Sequence, residues 1–279
     1  MTVYLNDRFI PEAEAVISVF DRGFLYGDGL FESIRVVHSK PFRWIDHMER
    51  LLHGCQLLRL TLPISIDELR LIASRLIKMN QMPDGILRIT LSRGRGARGY
   101  SPRGANQPTL LLSLHPLPVV TQPWKLITSS LRISVGDPLA CAKTSNKLPQ
   151  ILARAEADDA GADDALLLDS NGHVAETSSG NLFWLQNEKL FTPALQSGII
   201  PGITRKVVLD LAQTLQIPVE QIMAPKEVLH SAEGVFVTVS SCGIIEVSHL
   251  DGVTLRASDR VNALKSAYKA LLERGDEPI

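Results

Sequence analysis

Apolar residues recur along this chain with two different periods. VYLNDRFI alternates about an Asn-Asp turn signal, and LFESIRVV, rich in branched residues, follows Gly27-Asp28-Gly29, so the first forty residues read as strands. WIDHMERLLHGCQLLRL shifts to the helical period, placing Ile45, Met48, Leu51, Leu52 and Leu58 near one face. IDELRLIASRLIKMN, after Pro63, predicts a second helix, and Asp84-Gly85 ends the pair. ILRITLS and PTLLLSLHPL return to strand patterning on either side of a loop rich in glycine and arginine.

This pattern predicts an α+β domain over 1–117. PLPVVTQPW, with three prolines, reads as a linker placed at 118–124, and a second, α/β domain fills 125–279. In that domain KLITSSLRIS reads as a strand and LPQILARAEADDAG as a helix. ALLLDSNGHVAE reads as two strands joined at Asn171-Gly172, a strong hairpin signal. NLFWLQNEKLFTP repeats the strand–turn–strand theme, and ITRKVVLDLAQTL opens a helix just after Pro201-Gly202. VEQIMA, a short helix at KEVLHSA, the strand GVFVTVSS and the closing helix SDRVNALKSAYKALLERG complete the chain, with no internal repeat.

Composition narrows the function classes. The chain has 279 residues, 45% hydrophobic and 21% charged, which fits two folded domains and not a disordered chain. Twenty-nine basic residues oppose thirty acidic ones, so no strong field gathers nucleic acid or a membrane surface. The start lacks the basic and apolar blocks of a signal peptide, and no apolar run is long enough to span a bilayer. Cys55, Cys141 and Cys242 are odd in number and widely spaced, suggesting neither a disulfide frame nor a zinc site. The expectation is a cytoplasmic protein acting on a small molecule.

Several short motifs carry candidate chemistry. Gly94-Arg95-Gly96-Ala97-Arg98-Gly99 has the letters of a dinucleotide fingerprint, but Tyr100-Ser101-Pro102-Arg103-Gly104 follows it where a helix N-terminus would have to hold pyrophosphate. A mobile loop carrying arginines toward a ligand fits better; a solvated basic loop is the plainer alternative. His47 and His53 are out of phase on their helix and read as surface or packing residues. Lys143 lies past a strand among small and apolar residues, a setting that favours desolvation and nucleophilic use, although a surface lysine is commoner there. Glu176 ends the strand GHVAE; it could receive a proton from a buried heterocyclic nitrogen, or simply be exposed. Pro201-Gly202-Ile203-Thr204-Arg205 opens a helix whose N–H groups suit an anion, with Ser240-Ser241 and Arg50 as further donors; a helix-start threonine is equally an ordinary cap. An amine, a carboxylate and a phosphate cradle are together what pyridoxal phosphate requires.

With those residues in view, the sequence resembles the fold-type IV pyridoxal-phosphate enzymes, the class-IV aminotransferase family. The likeness runs through Phe20-Asp21-Arg22-Gly23-Phe24-Leu25-Tyr26-Gly27-Asp28-Gly29-Leu30-Phe31-Glu32, then His47-Met48-Glu49-Arg50-Leu51, Lys143-Thr144-Ser145-Asn146, Asp169 through Glu176 to Asn181-Leu182-Phe183, and Gly202-Ile203-Thr204-Arg205. The resemblance implies a two-domain α/β subunit like that of D-amino acid aminotransferase, with pyridoxal 5'-phosphate between the domains, and a homodimer completing the pocket. It makes Lys143, placed in the second domain, the Schiff-base lysine and proton carrier, and Glu176 the partner of the pyridine nitrogen. Arg50, Ile203 (through its backbone N–H), Thr204 and Ser240 are to hold the phosphate.

Within the family, Lys147 stands where branched-chain enzymes carry a tyrosine, and a basic residue there resembles the aminodeoxychorismate lyases. Ser92 to Ser101 also resembles their R-G-x-G-x-R-G-Y loop, and Gly243-Ile244 their phosphate-site sequence, although Glu246 replaces a proline often found after it. Against this, Arg98 falls where D-amino acid aminotransferases bind a substrate carboxylate, while Phe31 and Tyr100 depart from the tyrosine and histidine that accompany it. The resemblance therefore implies a lyase releasing p-aminobenzoate and pyruvate from 4-amino-4-deoxychorismate, a step of folate biosynthesis. Phe31, Arg98, Tyr100 and Ser241 are its expected substrate contacts. An aminotransferase for D-amino acids or branched-chain L-amino acids is the first alternative and a non-catalytic cofactor-binding protein the second.

Overall fold

The computed structural model describes residues 1–120 and 123–275, and the chain divides into two compact units. The first comprises residues 1–117 together with Ala142–Asn146; the second comprises Pro118–Cys141 and Lys147–Arg274. The linker expected over 118–124 includes Thr121 and Gln122, which lie outside the described residues.

The first unit runs β1 (Thr2–Leu5), β2 (Arg8–Pro11), α1 (Arg22–Tyr26), β3 (Gly29–Val37), β4 (Lys40–Pro41), α2 (Trp44–Leu58), α3 (Ile66–Met79), β5 (Gly85–Ser92) and β6 (Thr109–His115). Its strands form one antiparallel sheet in the order β2-β1-β6-β5-β3-β4. Because side chains alternate across a strand, Ile34, Val36, Leu87, Ile89, Leu112 and Leu114 share one buried cluster with Trp44, Met48 and Leu51 of α2 and Leu69, Ala73 and Leu76 of α3. Each such side chain contributes roughly 1.5–3 kcal/mol by leaving water. Phe31, Ser33 and Arg88 occupy the alternate positions.

Two details of this unit differ from the sequence reading. The buried stripe of α2 is Trp44, His47, Met48, Leu51 and Cys55, while Ile45 and Leu52 face solvent, because the helical period leaves them off the stripe. In addition, α1 interrupts a region expected to be all strand. Five residues are too short to show a period, and the helix rests on its cap: Asp21 Oδ1 accepts from Gly23 N at 2.7 Å, and Gly27 ends it at φ +66°.

The second unit runs β7 (Trp124–Ile133), α4 (Leu148–Asp159), β8 (Asp164–Asp169), β9 (Val174–Thr177), β10 (Asn181–Gln186), β11 (Lys189–Pro193), α5 (Ile203–Thr214), β12 (Val219–Ile222), α6 (Val228–Ser231), β13 (Gly234–Val239), β14 (Gly243–Leu250), β15 (Val253–Thr254) and α7 (Asp259–Arg274). Its sheet order is β12-β11-β10-β13-β14-β7-β8-β9, and β9 also pairs β10, so the path from β10 to β9 closes on itself. The parallel pairs β7–β8 and β11–β12 are joined through α4 and α5, as parallel connections require. The predicted β8–β9 hairpin is present, with Gly172 at φ +87°.

The segment Ala142–Asn146 corrects the contiguous division expected from the linker. It pairs with the start of β3: Phe31 N donates to Lys143 O and Ser145 N to Gly29 O, both at 2.9 Å, and Ala142 enters the first unit's core. Lys143 therefore belongs to the first unit.

Candidate active site

In the first unit, the pairing of residues 143–145 with β3 puts the Lys143 amine 4.6 Å from the centre of the Phe31 ring. The Arg88 guanidinium lies 3.7 Å from the same ring. Arg88 comes from β5, whose register sets it opposite Ser33, and its Nη1 donates to Ser33 Oγ at 3.4 Å. Burial lowers its pKa, opposed by the charge of Glu32. Phe31 thus lies against a guanidinium and an amine, the guanidinium contact being a cation–π arrangement of about 0.5–2 kcal/mol.

Glu32, one residue on, points to the opposite face and is fully buried. Its Oε1 accepts from Arg50 Nε at 2.8 Å, and its Oε2 from Arg50 Nη2 at 2.7 Å. His47 Nδ1 lies 2.7 Å from Oε2 and must donate, since the carboxylate is ionised. Burial alone would raise the Glu32 pKa, but the charge and hydrogen bonds of Arg50, with those of His47, bring it down to about 2. His47 and Arg50 stand one turn apart on α2, so Glu32 fixes the guanidinium expected to meet the phosphate. The sequence reading left His47 without a role and missed Glu32, because their approach depends on how α2 packs on β3.

Arg98 and Tyr100 lie exposed on the loop between β5 and β6, which contains no helix. That geometry agrees with rejecting the dinucleotide fingerprint.

In the second unit, β9 carries the buried Glu176 opposite Asn181 of β10. Glu176 Oε2 accepts from Ile200 N at 3.0 Å and from Asn181 Nδ2 at 3.4 Å, and Asn181 Nδ2 also donates to Ile200 O at 2.9 Å. Two residues later Gly202 caps α5 without a side-chain hydrogen bond, leaving the helix-start N–H groups of Ile203 and Thr204 for an anion. A Cβ on Gly202 would run into Asn181 Oδ1. Asn181 thereby joins the acid to the helix start, a role that only its position between β9 and α5 reveals. Ser240 and Ser241 follow β13, which pairs with β10; Thr238 Oγ1 donates to Asn181 O at 3.4 Å. Ser241 Oγ lies 3.2 Å from Cys242 Sγ. Lys147 is the cap residue of α4.

These residues fit pyridoxal phosphate by their chemistry: an amine among cations and an aromatic ring in one unit, a buried carboxylate beside a side-chain-uncapped, glycine-started helix in the other. Among the described residues no helix is long and apolar enough to cross a membrane, and Cys55, Cys141 and Cys242 form no disulfide.

A family model described as amino-transferase class IV matches residues 29–250. A protein of Methanocaldococcus jannaschii, provisionally named a branched-chain-amino-acid aminotransferase, is 35% identical over 275 residues, 96% of each chain. The aminodeoxychorismate lyase of Bacillus subtilis is 29% identical over 273 residues, 96% of this chain and 93% of its own. The crystal structure of a T.th. branched-chain amino acid aminotransferase complexed with N-(5'-phosphopyridoxyl)-L-glutamate aligns with a TM-score of 0.91 at 29% identity, covering 98% of this chain and 94% of that one. The chain belongs to the class-IV aminotransferase family, the fold-type IV enzymes that work with pyridoxal phosphate.

Proposed function

We propose that the protein is an aminodeoxychorismate lyase, splitting 4-amino-4-deoxychorismate into p-aminobenzoate and pyruvate for folate synthesis. The observation that carries this reading is the loop Arg93-Gly94-Arg95-Gly96-Ala97-Arg98-Gly99-Tyr100, which exposes Arg98 and Tyr100 while its backbone is tied to the first unit. Lys147 at the start of α4 supports it. The substrate carries one carboxylate on its unsaturated ring and a second on the enolpyruvyl group. Arg98 supplies a bidentate guanidinium for one of them, and Arg88 above Phe31 supplies a desolvated cation.

When bound, the cofactor withdraws electrons from the amine-bearing carbon of the substrate. Lys143 would hold the cofactor through its amine and, once the substrate amine has displaced it, take the proton from that carbon. Its ammonium then returns a proton to the departing enolpyruvyl group. Glu176, held by Ile200 N and Asn181, keeps positive charge at the ring nitrogen. Ile203, Thr204, Ser240 and Arg50 would hold the phosphate. Substrate atoms equal product atoms, so no second substrate or oxidant is needed. We further infer a cytoplasmic homodimer, supported by exposed Val16, Ile17, Val19, Phe20 and Phe24 within one short stretch.

The test is to supply purified holoenzyme with aminodeoxychorismate and no keto acid. Equal amounts of p-aminobenzoate and pyruvate are expected, and Lys143→Ala should lower turnover by roughly 10²–10⁴-fold. The second reading, an aminotransferase, is favoured by the 35% identity to the Methanocaldococcus protein. It wins if D- or L-amino acids convert the cofactor to its amine form and no p-aminobenzoate appears.

A further inference from the structure

Arg22 is 3% exposed, yet its guanidinium reaches across the first unit to the loop bearing Arg98. Its Nη1 donates to Gly99 O at 2.8 Å and its Nη2 to Tyr100 O at 3.1 Å, the two carbonyls that directly follow Arg98. Its Nε donates to Asp28 Oδ2 at 2.8 Å. The same oxygen accepts from Arg93 Nε at 2.8 Å, and Arg93 donates onward to the carbonyls of Leu58 and Arg59 at the end of α2, at 2.7 and 3.0 Å. The Arg22 guanidinium also lies 4.9 Å from the Tyr26 ring, whose hydroxyl accepts from Gly99 N at 3.0 Å. A Cβ on Gly96 would strike the Arg22 side chain, so the loop wraps closely around it.

We propose that Arg22 is a positioning residue that sets Arg98 and Tyr100 for the substrate carboxylate. Two consecutive carbonyls need a planar fork of donors at fixed spacing, and a third donor on the same group must meet Asp28. Arginine meets all three demands, whereas lysine is a point charge that cannot. Beyond this clamp and the edge contact of the Tyr100 ring on Tyr26, 5.7 Å between centroids, the loop tip is open to solvent: Tyr100 is 89% exposed, and Gly99 sits at φ +108° in a conformation most residues avoid. The exposed tip is therefore ordered from beneath, by a buried side chain that does not touch substrate. The proposal rests on reading Arg98 and Tyr100 as substrate contacts.

Arg22→Lys and the milder Tyr26→Phe would be compared with wild type as holoenzymes, by amide hydrogen exchange over residues 97–104 and by steady-state kinetics. The expected result for Arg22→Lys is exchange about tenfold faster in that loop and a KM raised about tenfold, with kcat within about threefold of wild type. Tyr26→Phe should move both in the same direction by about threefold. Unchanged loop exchange in both variants overturns the proposal, as does a fall in kcat with KM unaltered. Should the wild type form no p-aminobenzoate, the lyase reading fails separately. The exchange rates, and KM for whichever amino acid is accepted, then still decide the role of Arg22.

Discussion

Each unit buries a glutamate near the predicted chemistry, and the two are held by different kinds of donor. In the first unit Glu32 is gripped by a bidentate guanidinium and an imidazole, and its carboxyl is driven to about 2. In the second, Glu176 Oε2 takes hydrogen bonds from a backbone N–H and a carboxamide. A guanidinium locks a carboxylate into one ionised, immobile state, which suits a strut beneath Arg50. An amide N–H orients a carboxylate without bringing a full charge of its own, which suits a partner for a ring nitrogen. The same residue type thus serves as scaffold in one unit and as candidate cofactor contact in the other.

The contrast is most open to attack at Glu32. Glu32→Gln leaves Arg50 and His47 buried without their counter-charge, so urea unfolding should show a loss of about 3–5 kcal/mol. Glu176→Gln should cost only about 1–3 kcal/mol, yet change the visible spectrum and pH profile of the bound cofactor. Equal destabilisation by the two substitutions would erase the distinction. Acid does reversibly what the first substitution does permanently. The folded pKa of Glu32 is lowered to about 2 from an ordinary 4.5, so its contribution is complete above pH 4.5 and is lost as pH falls from there toward 2. Urea titrations across that window should show the wild type losing stability more steeply than Glu32→Gln. A change in stability as small as that of Glu176→Gln is expected at Gly202→Ala, whose added methyl displaces Asn181 at a cost of roughly 1–3 kcal/mol. Cofactor affinity, measured by equilibrium dialysis, should weaken well beyond that of an alanine substitution on an exposed face of α5. An unchanged affinity would separate Asn181 and the helix start from cofactor binding.

Much of the architecture could be read from local pattern. The β8–β9 hairpin followed from Asn171-Gly172, and α3 from its apolar period after Pro63; the structure adds its cap, Ser65 Oγ accepting from Glu68 N at 3.2 Å. The limits of α2 were legible too, but its buried face was not fully so: the pattern included Ile45 and Leu52 and passed over His47. A polar residue on a buried face is visible only when its partner is known, and Glu32 lies on another element. β14 was likewise unread as a strand; part of its pairing is to β7, more than a hundred residues earlier in the chain.

The sequence by itself determined the family, because the residues proposed to meet the cofactor sit in short blocks whose spacing is set by local backbone: a lysine after a strand, an acid at a strand end, a glycine opening a helix. It likewise determined the hairpins and helices whose signals lie within a few residues of each other. Only the tertiary structure decided that Lys143 joins the first unit, that Glu32 underlies Arg50, and that Arg22 grips the loop bearing Arg98. Each of these is a contact between residues far apart in the chain. Their partners are selected by sheet register and helix packing, quantities that the whole buried core sets at once and that no local pattern encodes.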